Sequence, residues 1–88
     1  MAIVHIPPQM QELTGGAAEV EAEGGNLRQL VAHLEAAFPG FRDRLTRGDS
    51  VAPGLAVSID NVVTSRGLLA EVETDSVVHI IPAISGGS

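Results

Sequence analysis

The chain has 88 residues, of which 44% are hydrophobic, and carries a formal net charge of −6. That length supports one domain with a modest core, and that composition is too apolar for a disordered chain. The acidic balance, with Phe38 and Phe41 as the only aromatic residues, argues against nucleic acid as a partner, because little is available to neutralise phosphates or stack on bases.

Ile3 to Ile6 reads as a first strand, stopped by Pro7-Pro8, which cannot donate ladder hydrogen bonds. Met10 and Leu13 are spaced for a single helical turn, and Gly15-Gly16 reverses the chain. From Ala18 to Glu23 small apolar residues alternate with glutamates, the pattern of a half-buried edge strand guarded by charge. After Gly24-Gly25, Asn26 is a good N-cap with Gln29 three residues on. Leu27, Leu30, Val31, Leu34 and Phe38 then form one apolar helical stripe. Pro39-Gly40 ends that helix, and Phe41 with Leu45 predicts a further short turn bearing Arg42, Arg44 and Arg47. Gly48 to Gly54 has loop composition. Leu55, Val57 and Ile59 alternate with polar or small residues as a second half-buried strand, and Asp60-Asn61 predicts a tight turn into Val62-Val63. Leu68, Leu69 and Val72 run through an irregular stretch. Val77 to Ile81 is apolar on both faces, as a strand in the middle of a sheet should be, and Pro82 ends it. The expected fold is α+β: a β-grasp roll over residues 1–82, with a mixed sheet of four to five strands and one main helix on one face. Residues 83–88 are expected to be a flexible Gly-Gly tail.

Internal catalytic constellations are hard to find. Cysteine is absent, which excludes disulfides, thiolate metal sites and thiol nucleophiles, and suits a reducing cytoplasm. His5, His33 and His79 have no metal-ligand spacing, so no metal and no bound cofactor are expected. The serines lack a nucleophile-elbow context. The two internal glycine pairs read as turn glycines rather than phosphate loops. All five basic residues are arginines, so no side chain offers a primary amine. There is no basic leader, and no apolar run has membrane-spanning length, so a soluble cytoplasmic domain without membrane association is expected. The remaining anomaly is a central strand running directly into Pro82-Ala83-Ile84-Ser85-Gly86-Gly87. Two glycines have no Cβ, so such a tail can thread a narrow channel and present its carboxylate to a bound nucleotide.

In order, these features resemble the MoaD/ThiS family of ubiquitin-like sulfur carriers, and within it the CysO type associated with cysteine biosynthesis. The likeness runs nearly end to end. It rests on Ile6-Pro7-Pro8 with Leu13-Thr14-Gly15-Gly16, on the helix after Gly25-Asn26, on Val57-Ser58-Ile59-Asp60-Asn61, and most specifically on Thr74 through Gly87. The resemblance implies that Gly87 supplies a carboxylate which an E1-like enzyme adenylates with MgATP. The product becomes a thiocarboxylate whose sulfur a downstream synthase accepts, for example in molybdopterin, thiamin or cysteine biosynthesis. Ile84, Ser85 and Gly86 would seat in the partner's channel. The chain would be a co-substrate and not an enzyme.

If Val4, Ile6, Val78 and Ile80 face the helix, then His5, Val77, His79 and Ile81 share the opposite sheet face with Ala56 and Ser58, a candidate docking surface. A sheet face that is simply less well covered accounts for the same pattern. Ser88 departs from the family pattern, since a charged carrier ends in glycine. A JAMM-type protease clipping between Gly87 and Ser88 is the preferred explanation. An added residue, or a tail that is never activated, are the others. Two further functional classes stay open: a ubiquitin-like modifier conjugated through Gly87, and a β-grasp interaction module that is never conjugated.

Overall fold

The computed structural model describes residues 1–82, and the expected Gly-Gly tail, 83–88, lies outside the described residues. β1 (Ala2–His5) pairs antiparallel with β2 (Glu19–Ala22), His5 opposite Glu19 and Ala2 opposite Ala22. The segment between them is a 3₁₀ run, Pro8–Thr14, longer than the single turn expected, which buries Met10 and closes on Gly15 at φ 68°. Proline suits its start because the first helical N–H groups have no partner within the helix.

α1 (Leu27–Ala37) begins as the sequence predicts, with the Asn26 side chain accepting a hydrogen bond from Gln29 N at 2.9 Å. The reciprocal bond goes one residue further out than a capping box would place it: Gly25 N donates to Gln29 Oε1 at 2.8 Å. Leu27, Leu30, Val31 and Leu34 are buried, whereas Phe38 caps the helix and is only partly buried. α2 (Phe41–Leu45) follows Gly40, whose φ of 98° makes the bend. Glu35 ties the two helices together by accepting from Gly40 N (3.1 Å) and Arg42 N (2.8 Å) at the open start of α2. These backbone donors hold its carboxyl below the usual range.

The stretch read as a loop contains a small antiparallel ribbon, β3 (Thr46–Arg47) and β4 (Ser50–Val51), turning at Gly48, φ 59°. Two residues per strand leave no periodicity to read, which is why composition alone pointed to a loop. β5 (Leu55–Ile59) joins β6 (Val62–Val63) through Asp60-Asn61, both at positive φ (52° and 72°). That is the type I′ turn whose twist matches a two-residue hairpin, and Asp and Asn tolerate it best after glycine. The irregular stretch beyond is stitched to the start of α1 by Leu27 N donating to Ala70 O and Val72 N to Gly25 O.

β7 (Val77–Pro82) occupies the middle of the five-stranded sheet, in order β2-β1-β7-β5-β6, parallel to β1 and antiparallel to β5. One face of the sheet contributes Ala2, Val4, Ala22, Val57, Val78 and Ile80 to a core completed by α1, Phe41, Leu45 and Met10. This is a ubiquitin-like β-grasp: a mixed sheet with one main helix across one face.

Candidate functional site

Two features of the described residues bear on function: the place where β7 releases the chain, and the sheet face turned away from α1. Pro82 is the last residue of β7 and pairs with Leu55, the first of β5. Leu55 in turn borders a groove of about 230 Å³ lined by Gln9, Arg44, Arg47, Pro53 and Gly54, among others. The last described residue of β7 is therefore paired with a residue of this groove's wall. Gly87, with Ile84, Ser85, Gly86 and Ser88, lies beyond the described residues.

The two arginines of this groove are tied to the fold. Arg44 forks between Glu12 Oε1 (3.1 Å) and the Gln9 carbonyl (3.0 Å). Arg47 donates to the carbonyls of Asp43 (3.0 Å) and Thr46 (3.1 Å) at the end of α2, where backbone oxygens lack helical partners. The sequence placed three arginines, Arg42, Arg44 and Arg47, on the short turn after Pro39-Gly40, and the structure shows Arg44 and Arg47 serving as local braces. A second groove, about 370 Å³, lies against α1 and α2 and is lined by Arg28, Val31, Ala32, Arg42 and Leu68 among others. Among the described residues no group of three His, Cys, Asp or Glu side chains is placed to hold a metal ion.

The face opposite α1 carries the residues predicted from strand parity. The register sets His5 beside His79 and His79 beside Ser58, with Ala56 beside Ile81. The imidazoles of His5 and His79 stack at 4.3 Å between centroids, only 3° from parallel. Glu19, across the other edge of β1, brings a carboxylate oxygen within 3.5 Å of His5 Nδ1. Ser58 is a correction. It lies on this face but is only 6% exposed, because its short side chain sits below the larger His79 and Val63 on either side. Ile3 and Val63 belong to the same face and were missed: Ile3 pairs with Val77, and Val63 pairs with Ser58. They are 39% and 59% exposed, and Ile81 is 39% exposed. Ile3 could have been found by applying the same parity to β1. Val63 required the hairpin register.

The start of β7 is pinned at the opposite end from the tail. Asp60 accepts from Ser76 Oγ (2.8 Å) and from Val77 N (2.9 Å), and Ser76 Oγ accepts from Glu73 N (2.9 Å). Ser76 is 1% exposed. The Val77 N–H, followed by the Ser76 hydroxyl, holds the Asp60 carboxyl below its ordinary value. A carboxyl lowered in the folded state stabilises the fold above its unfolded pKa, and that contribution disappears as pH falls through the folded value. The difference in stability between wild type and Asp60→Asn is thus expected to shrink on acidification below about pH 4. Urea unfolding of both proteins between pH 7 and pH 3 checks this, and a pH-independent difference would show that the carboxylate charge is not what matters.

Among the described residues no helix is long and apolar enough to cross a membrane. No curated protein sequence matches the chain. Solved structures do. A chain of the Amycolatopsis orientalis BexX/CysO complex superposes with a TM-score of 0.91 at 29% identity, covering 99% of this chain and 100% of that one. Mycobacterium tuberculosis CysO gives 0.89 at 27% identity, covering 96% and 100%. SAMP1, the small archaeal modifier protein of Methanosarcina acetivorans, gives 0.76 at 18% identity, covering 98% and 95%, a likeness of fold alone. The ThiS family model matches residues 4–87, nearly the whole sequence, and the chain belongs to the ThiS family.

Proposed function

We infer that this protein is a sulfur carrier whose Gly87 carboxylate is adenylated by an E1-like enzyme using MgATP and then converted to a thiocarboxylate. Its sulfur passes to a downstream synthase. The observation that carries the reading is the extent of the family match, which runs through Gly86-Gly87 and stops before Ser88. The delivery of that tail by the sheet's central strand supports it. Gly87 is then the working end, and Ser88 is removed first, by a JAMM-type protease or its equivalent. The chain acts as a co-substrate: the nucleotide and the catalytic groups belong to the partner. The test mixes the chain ending at Gly87 with its cognate adenylating enzyme, MgATP and a sulfide source. Intact mass should rise by the difference between sulfur and oxygen, and an unchanged mass overturns the reading.

A protein-modifier role uses the same adenylate with a lysine amine as acceptor. Target lysines bearing a Gly-Gly remnant in the source cell would show it. A β-grasp module that is never conjugated would instead keep its cellular role after deletion of residues 86–88.

The open face of His5, Ala56, Val77, His79 and Ile81, with Ile3 and Val63, is the surface that meets the adenylating enzyme in this reading. The stacked imidazoles of His5 and His79 lie at its middle, flanked by Ile3 and Val77 on one side and by Ala56 and Ile81 on the other, a mixed aromatic and apolar surface of the kind interfaces use. Ile81→Asp would place a carboxylate in that contact. An expected loss of about 2–3 kcal/mol corresponds to roughly a hundredfold weaker binding. Titration calorimetry against the adenylating enzyme measures it, and unchanged affinity would move the docking surface elsewhere.

A further inference from the structure

The groove of about 370 Å³ against α1 and α2 lies on the helix side of the molecule, away from the open face of the sheet. Its charged lining residues are both arginines, Arg28 and Arg42, and Val31, Ala32 and Leu68 give it an apolar floor. We propose that this groove docks a short, extended acidic segment of a partner protein, with a carboxylate at each end and an apolar side chain between them.

Charge selects the occupant. The chain as a whole carries −6 and repels acidic partners, except where cations gather locally. Arg28 already holds a carboxylate: Asp49, in the turn between β3 and β4, stands 2.8 Å from its guanidinium. The two side chains are 56% and 84% exposed, so the pair is worth little and another carboxylate can replace Asp49. Asp49 therefore displays the chemistry that Arg28 accepts and competes for it in the free protein. The Arg42 guanidinium makes no ion pair among the described residues. Its neighbour Glu35 is spent on backbone donors, Gly40 N and Arg42 N.

Spacing selects the form of the occupant. Arg28 lies near the start of α1, and Glu35, which holds Arg42 N, lies near its end. The intervening stretch is about 10 Å long at about 1.5 Å per residue. A single phosphate or carboxylate is too small to bridge both ends. In an extended peptide alternate side chains share one face, at about 3.3 Å of rise per residue. Acidic groups at its first and fifth positions stand about 13 Å apart, within the sweep of two long arginine side chains. The third position then lies over Ala32 and the exposed edges of Val31 and Leu68. Because the open face lies on the other side of the sheet, both surfaces can be occupied at once. The proposal does not depend on the carrier reading.

The competing explanation is two solvated arginines beside a packing groove that nothing enters. To separate the two, the peptide acetyl-Asp-Ser-Leu-Ser-Asp-amide is titrated into the full ¹⁵N-labelled chain, and amide shifts are followed by NMR. Saturable shifts are expected at Arg28, Ala32, Arg42 and Thr46, with a dissociation constant on the order of 1 mM or below. Arg42→Gln, which removes a charge that pairs with nothing in the described fold, should weaken binding about fivefold. Asp49→Asn should tighten it about twofold or more, because it releases Arg28. Arg66→Gln, in a different groove, should leave it unchanged. The Asn-Ser-Leu-Ser-Asn peptide should not bind. No saturation by about 5 mM overturns the proposal. So does equal binding of the neutral peptide, or an Arg42→Gln chain that binds as wild type does. The same shifts produced by sodium sulfate would reduce the groove to a spot for free anions, and shifts centred on His5 and His79 would move the contact to the sheet face; either result also overturns it. The amide spectrum of each variant reports whether it is folded, and the gain of affinity in Asp49→Asn is a result that unfolding cannot imitate.

Discussion

Gly86→Ala and Gly87→Ala, each in the chain ending at Gly87, are expected to lower thiocarboxylate formation about a hundredfold while leaving the fold intact. The physical reason is local. A channel that admits an extended glycine backbone has no room for a Cβ, and forcing a methyl into a packed site costs about 1–3 kcal/mol, the upper end of which is a factor of roughly one hundred. The chain that retains Ser88 should be inert for a different reason, since its carboxylate is one residue too far along. Single-turnover assays read by intact mass check all three, alongside calorimetry for binding. Because docking is assigned to the sheet face, affinity should fall far less than rate. A Gly87→Ala chain that gains sulfur at the wild-type rate would remove the tail from the mechanism.

Gly24→Ala is expected to be the most damaging conservative change in the described part of the fold, costing about 2–3 kcal/mol and lowering the thermal midpoint by roughly 10–20 °C. A Cβ at position 24 would stand 2.5 Å from Leu30 N, 2.9 Å from Gln29 C and 3.0 Å from Leu30 Cα. All three are backbone atoms of α1, which cannot swing aside as a side-chain end can. Gly24 is thus a contact glycine, and the reading of it as an ordinary turn residue was incomplete. The neighbouring Gly25 is the internal control. Its added Cβ would meet only the Gln29 side chain, at 3.4 Å, so Gly25→Ala should cost less than about 1 kcal/mol. Equal losses for the two would show that chain entropy, and not the close approach to α1, sets the requirement.

Most of the fold was legible because its signals are periodic. The alternation from Ala18 to Glu23 placed an edge strand, the stripe from Leu27 to Leu34 placed the helix, and the unbroken apolar run from Val77 placed the central strand. What was not legible is short or depends on register. β3 and β4 are too brief to alternate. Gln29 reaches Gly25 instead of the N-cap, which only the entry geometry of the chain decides. Parity assigned Ser58 to the open face correctly, yet its exposure depends on the sizes of His79 and Val63 across the pairings, so the side chain is covered.

By itself the sequence determined that a central strand runs straight into a Gly-Gly tail, that the core is built mostly from aliphatic side chains, and that no cysteine or lysine offers a nucleophile. These are properties of composition and local pattern, and they survive any arrangement of the elements. Only the tertiary structure decided that the histidines His5 and His79, far apart in the chain, stack on one face. It alone put Arg44 and Arg47 in one groove with Gln9 and Leu55, and brought the Leu30 backbone against Gly24. Each of these depends on which strands pair, in what register and at what distance from α1. Those choices are made by burying one shared core, and no single segment encodes them.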